Sequence, residues 1–231
     1  MSRYFLVGNS HLSQFKSINQ ESSYPITVLH GMGASIRGLL NPNSTTGLNQ
    51  QVKHADTDIS TCFIFHLGQV DIEFGYYYKS ALANTKLDIH TFIADTINIY
   101  TQYLKTIQGR VIIIGVNPTA ITDMSHTFYV NFKDTVCHQN NRLQQVGELE
   151  IDRSYPSLAH IYNDSINTRN QSLLLMNNAL HGMCVTNGWK FIDMMPIVSH
   201  DGLLASQFQP TRLDHHLVPS VELSRYLIKN L

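Results

Sequence analysis

Charge is scarce in this sequence. Only 14% of its 231 residues are Asp, Glu, Lys or Arg, and the formal net charge is −1. No basic run stands out, which argues against nucleic acid or an anionic membrane surface as the main partner. Cysteine is scarce as well. Cys62, Cys137 and Cys184 are odd in number, far apart and form no CxxC. That pattern excludes a disulfide scaffold and reads as reduced thiols in a cytoplasmic protein, with Cys62 packed within a strand. No apolar run is long enough to span a bilayer. The first residues read as a strand rather than as a basic and apolar leader, so the Asn-x-Ser/Thr triplets at Asn43, Asn163 and Asn170 are taken as chance matches.

Apolar and uncharged polar residues are plentiful. Apolar types make up 43% of the chain, enough for a substantial core and too many for a disordered segment. Five short apolar runs predict strands at 4–7, 26–29, 61–67, 110–116 and 190–194. The run at 110–116 is nearly all β-branched, as a central parallel strand should be. Helices are expected at 11–18, 88–107, 166–187 and 219–231, with a polar helical stretch ending near residue 58. In 88–107 the residues Ile93, Ile97, Tyr100, Leu104 and Ile107 recur at steps of four and three, and Asp88 suits the N-cap. Asn187-Gly188 stops the helix before it. Residues 119–165 carry little pattern beyond an extended piece at 128–132, and are expected to form an excursion over the sheet edge. Strands alternating with helices imply one three-layer α/β/α domain over 1–231, with a five-stranded parallel sheet and right-handed crossovers.

The chemistry-bearing residues follow the strands. The first strand stops at Gly8-Asn9, a turn pair, and Ser10 comes next. A serine on a tight turn after a buried strand holds its hydroxyl over the sheet edge, where open α/β sheets bind ligands. Such a hydroxyl needs a base, and the far end of the chain supplies Asp214-His215-His216. Gly31-Met32-Gly33 follows the second strand, Gly68-Gln69-Val70-Asp71 the third and Asn117 the fourth. In a parallel sheet these loops share one rim.

This ordered set resembles the SGNH, or GDSL-type, hydrolase family and its flavodoxin-like fold. Gly8-Asn9-Ser10-His11 is similar to the block carrying the nucleophile, Gly33 to the second-block glycine, Gly68–Asp71 to the third block and Asp214–His216 to the Asp-x-x-His block. The stretch 33–68 also resembles GDSL-like proteins associated with bacterial polysaccharide genes. The resemblance implies a serine-dependent esterase or O-acyltransferase acting on an acyl or acetyl ester of a carbohydrate or other small substrate, without cofactor or metal. Ser10 would be the nucleophile, His216 the base and Asp214 its orienter. Ser10 and Gly33 N–H groups, with the Gln69 amide, would form the oxyanion hole. Arg37, Asp71, Asn117 and His215 are candidates for substrate binding.

Two departures from the family pattern matter. Val70 stands where the family has an asparagine, and losing an oxyanion donor costs about 3 kcal/mol. Either Gln69 substitutes, or two backbone donors remain. The aspartate is two residues before His216 rather than three, which leaves the choice between His215 and His216 open and Asp201 as a weaker orienter. Plainer readings stand beside these. In these readings Ser10 caps a helix, His11 and His66 are structural, Tyr76–Tyr78 simply pack, and Asn117 serves the turn before Pro118. The rival function is a non-catalytic glycan- or partner-binding module retaining the fold. A metal-dependent hydrolase is a third option, although adjacent His215 and His216 lack accompanying residues at ligand spacing.

Overall fold

The structure is a computed structural model that describes residues 3–56, 58–83, 85–123, 164–211 and 214–231. The expected extended piece at 128–132 and most of the 119–165 excursion lie outside the described residues.

Five parallel strands form one sheet in the order β2-β1-β3-β4-β5: β1 Arg3–Gly8, β2 Ile26–His30, β3 Thr61–His66, β4 Arg110–Ile114 and β5 Lys190–Ile192. The strands are apolar on both faces because both faces are covered. Val7, Phe63, Phe65, Val111 and Ile113 point into one core with Tyr100, Met176 and Leu180. Leu6, Ile64, Ile112, Ile114 and Ile192 point into the other with Phe15, Leu223 and Leu227. The helices over the first face are α2 (Leu48–Ala55), α3 (Tyr76–Leu82), α4 (Ile89–Leu104) and α5 (Ile166–Asn187). The second face is covered by a 3-10 turn at Ser10–Phe15, α1 (Ile18–Glu21), α6 (Met195–Val198) and α7 (Val221–Lys229). The three-layer α/β/α architecture expected from the sequence is the observed one.

The helix ends follow local chemistry. Asp88 Oδ2 accepts from Thr91 N at 2.7 Å and starts α4. Gly188 ends α5 at φ 70°, a left-handed position that glycine occupies without a Cβ penalty. The buried face of α5 is mixed. Leu173, Met176, Leu180 and Met183 pack there, but so do Asn170 and Asn177. Asn177 accepts from Val116 N at 2.7 Å and donates to Val116 O at 2.8 Å, while Asn170 Oδ1 accepts from Thr119 N at 2.8 Å. These amides satisfy backbone groups that β4 leaves open as it ends. Leu180 is fully buried, so Leu180→Ala should cost about 3 kcal/mol through lost burial and the cavity left behind, read as a lower midpoint in chemical denaturation.

Two local expectations change. The helix expected at 11–18 is a 3-10 turn followed by the separate α1, because Asn9 pulls the first residues into a tight turn. The segment read as a loop through Asp201-Gly202 is a two-residue hairpin joining β6 (Ser199–His200) to β7 (Leu203–Leu204). Asp201 and Gly202 take φ 51° and 77°, the left-handed pair that such a turn requires.

Candidate active site

The chain changes direction across the sheet at β1. Its neighbours are β2 on one side and β3 on the other, so the loops after β1 and β3 flank the crevice where open α/β sheets take ligands.

Each residue of Gly8-Asn9-Ser10-His11 has a distinct physical task. A Cβ on Gly8 would lie 2.6 Å from the His66 carbonyl oxygen, so only glycine allows β1 to end this close to β3. Asn9 is fully buried. Its Nδ2 donates to Ala34 O at 2.9 Å, tying the first loop to the second. Its Oδ1 accepts from both His11 N at 3.0 Å and His11 Nδ1 at 2.9 Å. The cap of the turn is therefore Asn9, not Ser10. Ser10 is left half-buried at the rim, free of that task.

The histidine loop repeats this device. Asp214 Oδ1 accepts from His216 N at 3.0 Å and from His216 Nδ1 at 2.6 Å. One carboxylate oxygen thus fixes the backbone turn and the ring together, which is how an aspartate two residues away orients the imidazole. The His216 ring lies 4.9 Å from that of His11, the residue after Ser10. The first and last chemical motifs of the chain meet on one rim. Among the described residues His216 Nε2 is buried and makes no hydrogen bond, so the Ser10 hydroxyl is not bonded to it here; such bonds commonly tighten only when substrate is bound.

No protein-family model matches the chain, and no curated protein matches it. Solved structures do. A protein of Slackia heliotrinireducens assigned to the SGNH hydrolases aligns with a TM-score of 0.53 at 14% identity, over 99% of this chain and 98% of that one. A GDSL-like lipase from Bacteroides thetaiotaomicron aligns with a TM-score of 0.51 at 13% identity, over 99% of this chain and 85% of that one. An extracellular lipase from Streptomyces rimosus aligns with 0.50 at 10% identity, over 99% and 97%. The chain has the SGNH hydrolase fold.

Gly33 and Gly68–Asp71 follow β2 and β3 at the same end of the parallel sheet as Ser10 follows β1. Gly33 is exposed, takes φ 67°, and has open space around the position of a Cβ. Asp71 braces this loop from below. Its carboxylate is buried and accepts from Ile36 N at 2.8 Å and Arg37 N at 3.1 Å. Burial raises its pKa to about 6 against the pull of those N–H groups. Both oxygens are thus engaged with backbone rather than facing a ligand. Arg37 Nη1 donates to Thr96 at 3.0 Å and its guanidinium lies 4.8 Å from the Phe92 ring centroid, so this cation rests against α4.

Gln69 is also committed. Its Oε1 accepts from Asn117 N at 2.9 Å and its Nε2 donates to Asn117 O at 3.3 Å. Asn117 is wholly buried, and its Nδ2 donates to Gln14 Oε1 at 2.9 Å. Gln14 Nε2 in turn meets His66 Nε2 at 2.8 Å. Because an amide Nε2 only donates, His66 accepts there and is neutral, in keeping with a pKa lowered to about 4 by burial. Residues Gln69, Asn117, Gln14 and His66 thus knit the loops together behind the rim.

His215 packs edge-on against Phe74 and His11, each at 5.3 Å between ring centroids. Burial first, then the neighbouring His216, lowers its pKa to about 3, opposed by Asp214. Asp201 is 3.2 Å from His200 on the hairpin, with both side chains exposed, and does not serve the rim histidines. Tyr76 and Tyr77 are buried, donating to Leu87 O and Asp164. Among the described residues Asp214, His215 and His216 place one donor atom each within 4.8 Å of one another. The 2.6 Å bond spends Asp214 on His216, an arrangement that orients an imidazole. No helix among the described residues is long and apolar enough to cross a membrane.

Asn9, Gln14 and Glu73 were not singled out by the sequence reading. Asn9 alone left a trace there, as a small polar residue two positions before a histidine, the spacing that Asp214 shares.

Proposed function

We propose that the chain is a serine-dependent esterase or O-acyltransferase acting on an uncharged acyl ester of a carbohydrate or another small molecule. The observation that carries this reading is the Asp214–His216 pair set beside the loop of Ser10, with the His216 ring 4.9 Å from His11. His216 Nε2 takes the proton as Ser10 Oγ attacks the ester carbonyl. Asp214 holds the Nδ1 proton and stabilises the imidazolium. The backbone N–H groups of Ser10 and Gly33 hold the oxyanion. Gln69 is bound at both ends of its amide to Asn117, which favours the two-donor version of the hole and a correspondingly slow enzyme. The imidazolium then protonates the departing alkoxide. Water, or a sugar hydroxyl, takes the acyl group from Ser10. Arg37 turned against α4 supports an uncharged rather than an acidic substrate.

A fluorophosphonate probe tests this reading. Wild-type protein should form a covalent adduct at neutral pH, and peptide mass spectrometry should find it on Ser10. The rival reading, a binding module without catalysis, predicts no adduct. An adduct on another residue would reject the assignment of Ser10.

A further inference from the structure

Behind the two facing motifs lies a third acidic group that the reaction as written does not use. Glu73 sits in a π-helical turn, Asp71–Gly75, that follows the third loop. Its side chain is 2% exposed; the Thr119 and Gln69 side chains approach the carboxyl, but no well-formed hydrogen bond closes on either oxygen among the described residues. A buried carboxyl held this loosely is costly to keep, and π-turns are common where function constrains a helix.

Its nearest titratable neighbour is His11, with Glu73 Oε2 3.9 Å from His11 Nε2. The proton arrangement follows from geometry. Asn9 Nδ2 is spent on Ala34 O, so the end of the amide facing His11 is an acceptor. His11 therefore carries its proton on Nδ1 and turns the Nε2 lone pair toward Glu73. A lone pair facing an ionised carboxylate in a buried space is repulsive, so a proton sits between them at low pH and leaves only as the pH rises through the raised Glu73 pKa. The same His11 ring also meets His215 and His216, at 5.3 and 4.9 Å between ring centroids.

We propose that Glu73, acting through His11, is a positioning residue for His216 and a second carboxylate that supports its charged form. This rests on the reading of His216 as the base. Asp214 fixes the ring from the solvent side, and the Glu73–His11 pair backs it from the interior. The groups around the cluster are few. Glu73 is faced by His11, Gln69, Thr119, Arg169 and His216. His11 is faced by His66, His215, His216 and the His215 backbone. His216 is faced by Asp214, His215, His11 and His30. Burial raises the Glu73 pKa to about 7, opposed by Thr119, Gln69, Arg169 and His216. Above that pH a buried anion lies under the imidazole cluster. Below it the carboxyl is neutral. Since an anion favours the protonated imidazole, His216 in the wild type should hold its proton to higher pH than in a Glu73→Gln variant.

The test is an NMR titration of the His216 Cε1–H resonance, assigned by its loss in His216→Gln. It needs no turnover, so it stands apart from whether Ser10 reacts. Wild-type protein should show two coupled inflections, and Glu73→Gln a single one at lower pH. In ester hydrolysis Glu73→Gln should lower kcat several-fold at pH 8 with KM unchanged, and Glu73→Asp should restore part of it. A single inflection for His216 in wild type would overturn the proposal. So would the same midpoint in wild type and Glu73→Gln. The wild-type measurement decides even if the variant does not fold.

Discussion

Ser10→Ala should lower ester hydrolysis by a factor of about 10³ or more while leaving the thermal midpoint nearly unchanged. The expectation follows from where Ser10 stands. It is half-buried at the end of β1, and the capping of its turn falls to Asn9, whose side chain makes the bonds that hold the loop. Removing the hydroxyl should therefore remove the proposed nucleophile and little structure. Binding and the backbone N–H donors remain and sustain some residual rate. The measurement is kcat/KM for a small chromogenic acetate ester, paired with a melting curve. A Ser10→Ala protein that keeps its rate would refute the nucleophile assignment. A variant that loses both rate and stability would show that the hydroxyl is structural.

Asp214→Asn is the second large effect. Asp214 Oδ1 takes two N–H groups of His216, one from the backbone and one from the ring. Asparagine can still accept the backbone bond, so the loop should keep its path. The amide cannot stabilise the imidazolium as a carboxylate does, and it can offer its N–H end to the ring, favouring the wrong tautomer. A loss in kcat of about 10³ to 10⁴ is expected, the scale of the same substitution in a serine protease triad. The pKa of Asp214 is held low by its bonds to His216 against the upward push of burial. Activity supported by this carboxylate is thus present above its titration and fades as pH falls through it. Asp214→Asn should remove that acid-side dependence along with most of the rate. A variant with wild-type kcat would assign the orienting role elsewhere.

These two expectations are bound to one asymmetry. Asn9 and Asp214 hold a histidine two residues on through the same pair of bonds, but one is neutral and the other charged. A neutral partner leaves His11 uncharged, as its burial also demands. In the proposed mechanism the carboxylate partner of His216 stabilises the imidazolium formed during turnover. The same local turn thus serves both a supporting histidine and the proposed base.

Much of the architecture was legible in the chain itself. Runs such as Val111 to Ile114 are apolar on both sides, and a strand of that kind has to be buried on both faces. Asp88 and Gly188 mark helix ends through bonds made within a few residues. These are local consequences of residue type, so the five strands, their parallel sheet and the long helices could be read without coordinates. Ser10 and the Asp214–His216 stretch could be singled out in the same way, as reactive types placed just beyond strands. What tertiary structure alone decided was which polar residues leave water. Gln14 and Glu73 look like ordinary surface residues, and Gln69 and Asn117 like groups facing a ligand, yet all four are buried. Their partners lie on other loops, and no local pattern encodes that. The same holds for the two-residue spacing of Asp214 and His216, which counts as a departure in one dimension and becomes a working bond once the backbone turns. Periodicity reports which face of an element is dry; it does not report which amide or carboxyl the fold will carry inside with it, because that depends on groups brought together from far along the chain.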